Sequence, residues 1–326
     1  MKQYYNFDLS QLSYYKTGGL CRTIFFPKTV EDVSQAIKAI NGPCFILGFG
    51  SNSLVLDQEW EGAVLCLKEM NTLERISKKN IRVGAGALNS DVSEFALKES
   101  LGGLGWMYGL PGFFGATVRM NARCYGGEIS QVVTKVITVD PSGVIKTYDN
   151  TPGQKDIFEA YKKTIFMDNG EVVAAVEVTL ENSASDEIKN KMISCYQDRV
   201  SKGQYLKPSC GCVFKNNYHP EVSVPSGLLI DYCQLRGVKQ GGAMVSLQHA
   251  NFISNEDQAK SSDILKLSLK VREEVWEKTG VWLEYEMEVL GQLPSQLKER
   301  FLEKRKSQYN IPVLEKLREK FQSRTK

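Results

Sequence analysis

The chain of 326 residues contains no apolar run approaching the roughly 18–20 residues that a membrane-spanning helix needs. It has only two histidines, His219 and His249. Its eight cysteines, at positions 21, 44, 66, 124, 195, 210, 212 and 233, form no CxxC pair. Zinc sites draw on closely spaced Cys and His, so this scarcity argues against a metal centre. The opening MKQYYNFDLS lacks the basic-then-apolar layout of a secretory leader. A disulfide framework is therefore not expected, the expectation is a cytoplasmic protein, and most thiols read as small buried apolar groups. Excess charge is also scarce, at +3, and it is local: residues 292–326 hold ten Lys or Arg against four Glu, leaving about −3 on the first 291. Nucleic-acid binders spread basic charge over a folded face. A basic helical tail reads instead as a solvated face or a packing arm. No nucleic acid, membrane or metal partner is expected on these grounds.

What is present is enough for two or three modest domains, each with its own core. The first seventy residues read as a small α/β unit. TIFFP is a strand, TVEDVSQAIKAI a helix opened by Thr29 with acids in its first turn, and CFILG a buried strand. GFGSNSLVLD is a glycine turn entering a strand, and AVLCL is another. From about Asn71 strands alternate with glycine-rich turns. IRVGAGA is a strand, and SDVSEFALKESL an amphipathic helix with Ser90 as its cap. VVTKVITVD, SGVIKTYD and EVVAAVEVTLE read as strands of one sheet, punctuated by turns at 140–143 and 169–170. A helix, DEIKNKMISCYQDRVSK, leads to a third region at 203–291 whose short strands and two helices suggest an α+β lobe.

Four segments carry chemistry. In ILGFGSNSLV (46–55), Gly48 and Gly50 let the backbone approach a ligand, while Ser51 and Asn52 add donors to an anion nest suited to a pyrophosphate. It is neither a Walker loop nor a complete Rossmann fingerprint. A plain glycine hairpin between buried strands is the competing reading. In GLPGFFGATVRMNARCYGGE (109–128), the density of glycine between apolar residues implies backbone packed on something flat or charged. Thr117 and Asn121 offer groups for a heterocycle edge or a phosphate; a structural turn cluster is the alternative. PSCGCVFKN (208–216) sets the Cys212 thiol on a glycine turn ahead of Lys215 and Asn216, either as a proton donor beside an anion-binding pair or as one more buried thiol. LEYEMEVLG (283–291) puts Glu284, Glu286 and Glu288 on one face of an extended chain, where they are simply solvated or one carboxylate has a task.

These segments, in this order, resemble the UDP-N-acetylenolpyruvoylglucosamine reductase family. KTGG (16–19), YKKTIF (161–166), GLLID (227–231) and GGAMVSLQHANFISN (241–255) extend the resemblance over about residues 14–291. Eight motifs in one order are specific where each alone is weak. The short gap between Tyr161 and Pro208 is similar to the subclass that lacks an extra tyrosine-bearing loop over the substrate.

The resemblance implies an α+β fold: a two-part FAD-binding module of the vanillyl-alcohol-oxidase (PCMH) type plus a C-terminal α+β substrate-binding lobe. Residues 1–70 and 71–202 would be the FAD-binding subdomains, 203–291 the substrate lobe and 292–326 the basic helical tail. It implies FAD as cofactor, NADPH as reducing cosubstrate, and a small-molecule substrate, the enolpyruvyl ether of a UDP-sugar. The activity implied is the oxidoreductase step that yields UDP-N-acetylmuramate for peptidoglycan and cell-wall synthesis. Matched motif by motif, the proton donor falls on Cys212, the charge-stabilising carboxylic group on Glu286 and the cationic partner on Lys162. FAD contacts fall on Gly48, Phe49, Gly50, Ser51, Asn52, Gly112, Gly115, Ala116, Thr117, Asn121 and Gly126. Substrate contacts fall on Tyr161, Lys215 and Asn216.

The chain departs from the family pattern where it bears Cys212 for serine and Lys162 for arginine, with Lys163 as the neighbour that a one-residue shift would select. It also bears Glu288 where a basic residue is common, and Ala116, Arg123 and Cys124 in a loop usually made of smaller residues. A thiol, with an ordinary pKa of about 8.5, keeps the acid role; lysine keeps charge but loses the planar fork of arginine. Arg123 faces either a phosphate or solvent. The alternative function is an FAD-binding homologue that has lost turnover.

Overall fold

The computed structural model describes residues 1–151, 157–216 and 223–324, with backbone only from 320 onward; His219 lies outside the described residues. The chain forms two compact units, each assembled from separated stretches of sequence. One comprises Met1–Phe7, Cys21–Phe49 and Glu61–Ser201, the other Asp8–Leu20, Gly50–Trp60 and Lys202–Lys326. This differs from the contiguous division expected after residues 70, 202 and 291. Long-range pairing explains the assignment of 8–20 and 50–60. Ser53–Val55 runs parallel to Glu288–Leu290, with Ser53 opposite Glu288. The Asp57 carboxylate caps the distant helix Ser261–Thr279 through the backbone N–H and hydroxyl of Ser261, at 2.6 and 2.9 Å. Tyr15, fully buried, donates its hydroxyl to the carbonyl of Ile253 at 2.9 Å.

The first unit holds two sheets. A four-stranded one has the order Lys2–Asp8, Leu20–Phe26, Trp60–Cys66, Cys44–Leu47. Its helix Val30–Ala39 begins as the sequence predicts: the Thr29 hydroxyl accepts the Asp32 N–H at 3.1 Å, and Glu31 and Asp32 lie in the positive first turn. The five-stranded sheet has the order Ile145–Asp149, Val133–Val139, Val172–Thr179, Asn80–Gly84, Leu73–Arg75, so the three strands expected to share one sheet do so. The turn at 140–143 forms around the Asp140 carboxylate, which accepts the N–H groups of Ser142 and Val144 at 2.9 and 3.0 Å, with Gly143 left-handed at φ 82°. Ser90, expected to cap a helix, instead sits inside its first turn. The helix is Asn89–Lys98 with Leu88 as N-cap, because Leu88 bridges to Phe113 and Asn89 donates to the carbonyl of Gly112; the Ser90 hydroxyl accepts the Gly109 N–H at 3.1 Å.

In the second unit a three-stranded sheet, Lys239–Gln240, Ala243–Val245 and Ile253–Asn255, packs with the helices Ser226–Tyr232 and Ser261–Thr279 around one core. The basic tail proves to be a packing arm. Its helices Ser295–Leu302 and Ile311–Arg324 send Leu297, Leu314 and Leu317 into that core. The buried Arg272 guanidinium donates to the carbonyls of Arg300 and Phe301, and the Trp282 indole to that of Glu303. Among the described residues no helix is long and apolar enough to cross a membrane, and no group of three or more His, Cys, Asp or Glu is placed to hold a metal ion. All eight cysteines are free thiols; Cys21, Cys66, Cys195, Cys210 and Cys233 are buried, as expected, whereas Cys44 is exposed.

Candidate active site

In the second unit the segments 208–216 and 283–288 run alongside each other. Phe214 and Tyr285 form an antiparallel bridge, and their rings stack with centroids 5.0 Å apart. The carbonyl of Val213 accepts the N–H groups of Glu286 (2.9 Å) and Met287 (3.2 Å), and the Lys215 N–H reaches the carbonyl of Glu284 at 2.9 Å. Cys212, immediately before Val213, and Glu286 are thus held on adjoining strands by backbone pairing. Both are half-buried. Gly211, at φ 73°, takes the left-handed conformation that turns the chain into this seam, a position where a side chain would be strained. Cys210, its other neighbour, points into the protein: its thiol bonds the Tyr15 hydroxyl at 3.5 Å. Burial pushes that thiol up to about 12, with the Glu286 carboxylate adding to the shift. Cys210 is therefore inert, and the reactive candidate of the pair is Cys212.

The three glutamates separate by environment. Glu284 is exposed and pairs with Lys215 at 3.8 Å, while Glu286 and Glu288 are half-buried and Leu283 and Met287 are buried on the opposite face. Asn216 accepts the Ser226 N–H at 3.2 Å through Oδ1. Asn52, expected at a cofactor, donates its amide to the carbonyl of Glu286 at 3.0 Å, and its own carbonyl receives the Glu288 N–H at 3.0 Å. Its side chain braces the carboxylate-bearing strand. Gly50 is left-handed at φ 75°, and a Cβ there would lie 2.9 Å from the carbonyl oxygen of Leu12, so protein packing accounts for that glycine.

In the first unit the two glycine segments converge. Among the described residues a Cβ on Gly48 would meet only the Ala116 methyl, at 3.5 Å, and Phe49 contacts Phe113 edge-on with centroids 5.4 Å apart. Ala116 is exposed on the first turn of the helix Phe114–Arg119, and Gly112 is left-handed at φ 152°. Gly115 abuts Ala85, which a Cβ would approach to 2.6 Å. Thr117 is turned inward, its hydroxyl donating to Asn89 at 2.9 Å. Asn121 is buried and left-handed at φ 44°; its amide donates to Glu128 (2.9 Å) and to the carbonyl of Ala160 (3.2 Å). That second bond ties the glycine-rich loop to the turn carrying Tyr161 and Lys162. Arg123 lies over the Tyr161 ring at 4.9 Å and 4.0 Å from the Glu128 carboxylate. Lys162 is left-handed at φ 54°, and its charge is felt at Cys124, whose thiol burial raises while Arg199 and then Lys162 oppose the shift. Lys163 is exposed and pairs with Glu159 and Asp168 at 3.1 and 3.5 Å.

Residues 203–290 match the C-terminal domain of UDP-N-acetylenolpyruvoylglucosamine reductase, and residues 22–149 match an FAD binding domain. A reductase of that name from Borrelia garinii subsp. bavariensis is 36% identical over 290 residues, covering 87% of this chain and 92% of its own. The chain belongs to the UDP-N-acetylenolpyruvoylglucosamine reductase family. The Treponema denticola reductase is 34% identical over 302 residues, again with 87% and 92% covered. The crystal structure of the reductase (MurB) from Thermus caldophilus superimposes with a TM-score of 0.72 at 31% identity, covering 88% of this chain and 98% of that one.

The residues present fit the flavin nucleotide that this reductase family's FAD binding domain calls for. Among the described residues Gly48 is bare except for Ala116, Gly126 has nothing within 4 Å, and Asn121 Oδ1 is a buried acceptor without a partner. A flat ring needs bare backbone, and a buried acceptor needs a donor. Two buried asparagines that hold these segments were not singled out in the sequence, Asn89 behind Thr117 and Asn251 behind Phe214. Only Asn251 had a signal, as part of the family-like HANFISN.

Proposed function

We propose that the protein catalyses the NADPH-dependent reduction of UDP-N-acetylglucosamine enolpyruvate to UDP-N-acetylmuramate, an oxidoreductase step feeding peptidoglycan synthesis in the cytoplasm. The observation that carries this reading is the seam in which Val213, next to Cys212, receives the Glu286 N–H. FAD, reduced by NADPH, supplies when bound the hydride that reaches C3 of the enolpyruvyl group. The chain's residues manage charge and proton. Negative charge develops at C2 and its carboxylate; the Lys162 cation stabilises it, Glu286 in its carboxylic-acid form donates a hydrogen bond to it, and the Cys212 thiol delivers its proton to C2. Tyr161, Lys215 and Asn216 bind the UDP-sugar.

The test follows flavin colour anaerobically. NADPH should bleach the protein, and the enolpyruvyl ether should restore the colour. Cys212→Ala should leave bleaching unchanged and slow recolouring by about 10²–10⁴-fold. Unchanged recolouring in Cys212→Ala sinks the donor assignment. A wild-type protein that bleaches yet ignores the ether is instead an FAD-binding homologue without turnover.

A further inference from the structure

We infer that Asn251 is a positioning residue for proton transfer: it fixes the stretch following Cys212 in the register that also holds Glu286. The inference rests on Cys212 being the donor. Asn251 is 2% exposed. Its carboxamide meets both polar groups of the Phe214 backbone, with Oδ1 accepting the N–H at 3.1 Å and Nδ2 donating to the carbonyl at 2.8 Å. Its own carbonyl accepts the Val213 N–H at 2.9 Å. The opposite edge of the same stretch is taken by Glu284, Glu286 and Met287. One side chain therefore stands where a further strand would run, and every backbone polar group of Val213 and Phe214 has a partner.

The chemistry of the position is narrow. A carboxamide presents an acceptor and a donor on one planar group, matched to a peptide N–H and C=O, where an ionised carboxylate only accepts. Val213 and Phe214 are fully buried, so water cannot replace the lost bonds. Cys212 precedes Val213 directly, and Glu286 donates to Val213, so loosening this clamp moves donor and carboxyl together. Proton transfer tolerates little displacement from hydrogen-bond reach of its target.

Asn251→Asp separates this role from general stability. The variant keeps the acceptor for the Phe214 N–H but faces the Phe214 carbonyl with a second oxygen. Ionised, that oxygen repels; protonated, it donates and restores the pair. Burial raises such a carboxyl, so recovery should set in above the usual carboxylate range. In the FAD-loaded protein, stopped-flow absorbance would give flavin reduction by NADPH and reoxidation by the enolpyruvyl ether between about pH 5 and 8. Reduction should stay within about twofold of wild type and KM for the ether should hold, while reoxidation at neutral pH falls about a hundredfold. That loss should shrink as pH falls, and Asn251→Asp should add nothing on a Cys212→Ala background. Wild-type reoxidation at neutral pH beside a slow Cys212→Ala overturns the clamp alone. So does a loss in both half-reactions together, a loss that low pH does not reverse, or a variant that holds no FAD at any pH. If Cys212→Ala reoxidises like wild type, the donor reading falls and this inference with it.

Discussion

Lys162 and Lys163 are sequence neighbours in opposite circumstances. Lys163 is exposed between Glu159 and Asp168, and the Glu159 carboxylate first among them raises its pKa. Exposed pairs of this kind contribute little to stability. Lys162 occupies a left-handed position on a turn held by the Asn121 amide through Ala160. We therefore expect Lys163→Met to keep kcat/KM within about twofold of wild type, and Lys162→Met to lower it roughly 10²–10³-fold with FAD retained. Steady-state kinetics with an FAD-content check decide, and the reverse pattern would move the cationic role to Lys163. At this scale the sequence names which residue types stand at the turns and the seam, and it does not say which way they point. Asn52 reads as a ligand donor in a glycine turn, yet its amide goes to a carbonyl 234 residues away. No local pattern announces such a partner. Thr117 is misdirected for the same reason, since Asn89 behind it is invisible until the helices are placed.

Among the elements, three local signals came out as read, whereas the CFILG strand, read as buried, leaves Cys44 and Ile46 exposed. Thr29 caps its helix, the turn at 140–143 folds around Asp140, and the β-branched runs pair in one sheet. The Ser90 cap failed because tertiary bonding through Leu88 and Asn89 started the helix earlier. The tail shows why charge counting leaves an element undecided. Ten basic residues suggest solvent, whereas Leu297, Leu314 and Leu317, at 8%, 0% and 4% exposure, make the tail part of a core. Leu314→Ala should therefore destabilise the protein by about 2–5 kcal/mol, as buried leucine truncations do. Lys316→Gln, on the exposed face of the same helix, should change it by less than about 0.5 kcal/mol. Denaturant unfolding checks both, and a Leu314→Ala protein as stable as wild type would return the tail to solvent.

For the molecule as a whole, the family and its cofactor were legible because chemistry-bearing motifs keep their order along a chain. The interleaving of 8–20 and 50–60 with the carboxy-terminal stretch was not, since it depends on pairings such as Ser53 with Glu288 that no window of sequence contains. That interleaved unit carries a pH dependence of its own. His249 lies half-buried against Phe252, with its Nδ1 unpartnered among the described residues, and burial pushes its imidazole down to about 4, with Arg236 and Lys202 adding to the shift. An unfolded imidazole takes up its proton near pH 6.5, whereas the folded one stays neutral until about 4. Between those values the unfolded chain binds more protons. The contribution is thus complete above pH 6.5 and is lost as pH falls through the folded value of about 4. Carboxylates titrate over part of the same range, so the informative quantity is a difference. His249→Gln should show a shallower fall in unfolding free energy from pH 6.5 to 4 than wild type, with the two proteins converging toward the acid end. Parallel slopes in denaturant titrations across that range would mean that the imidazole is already charged in the folded protein.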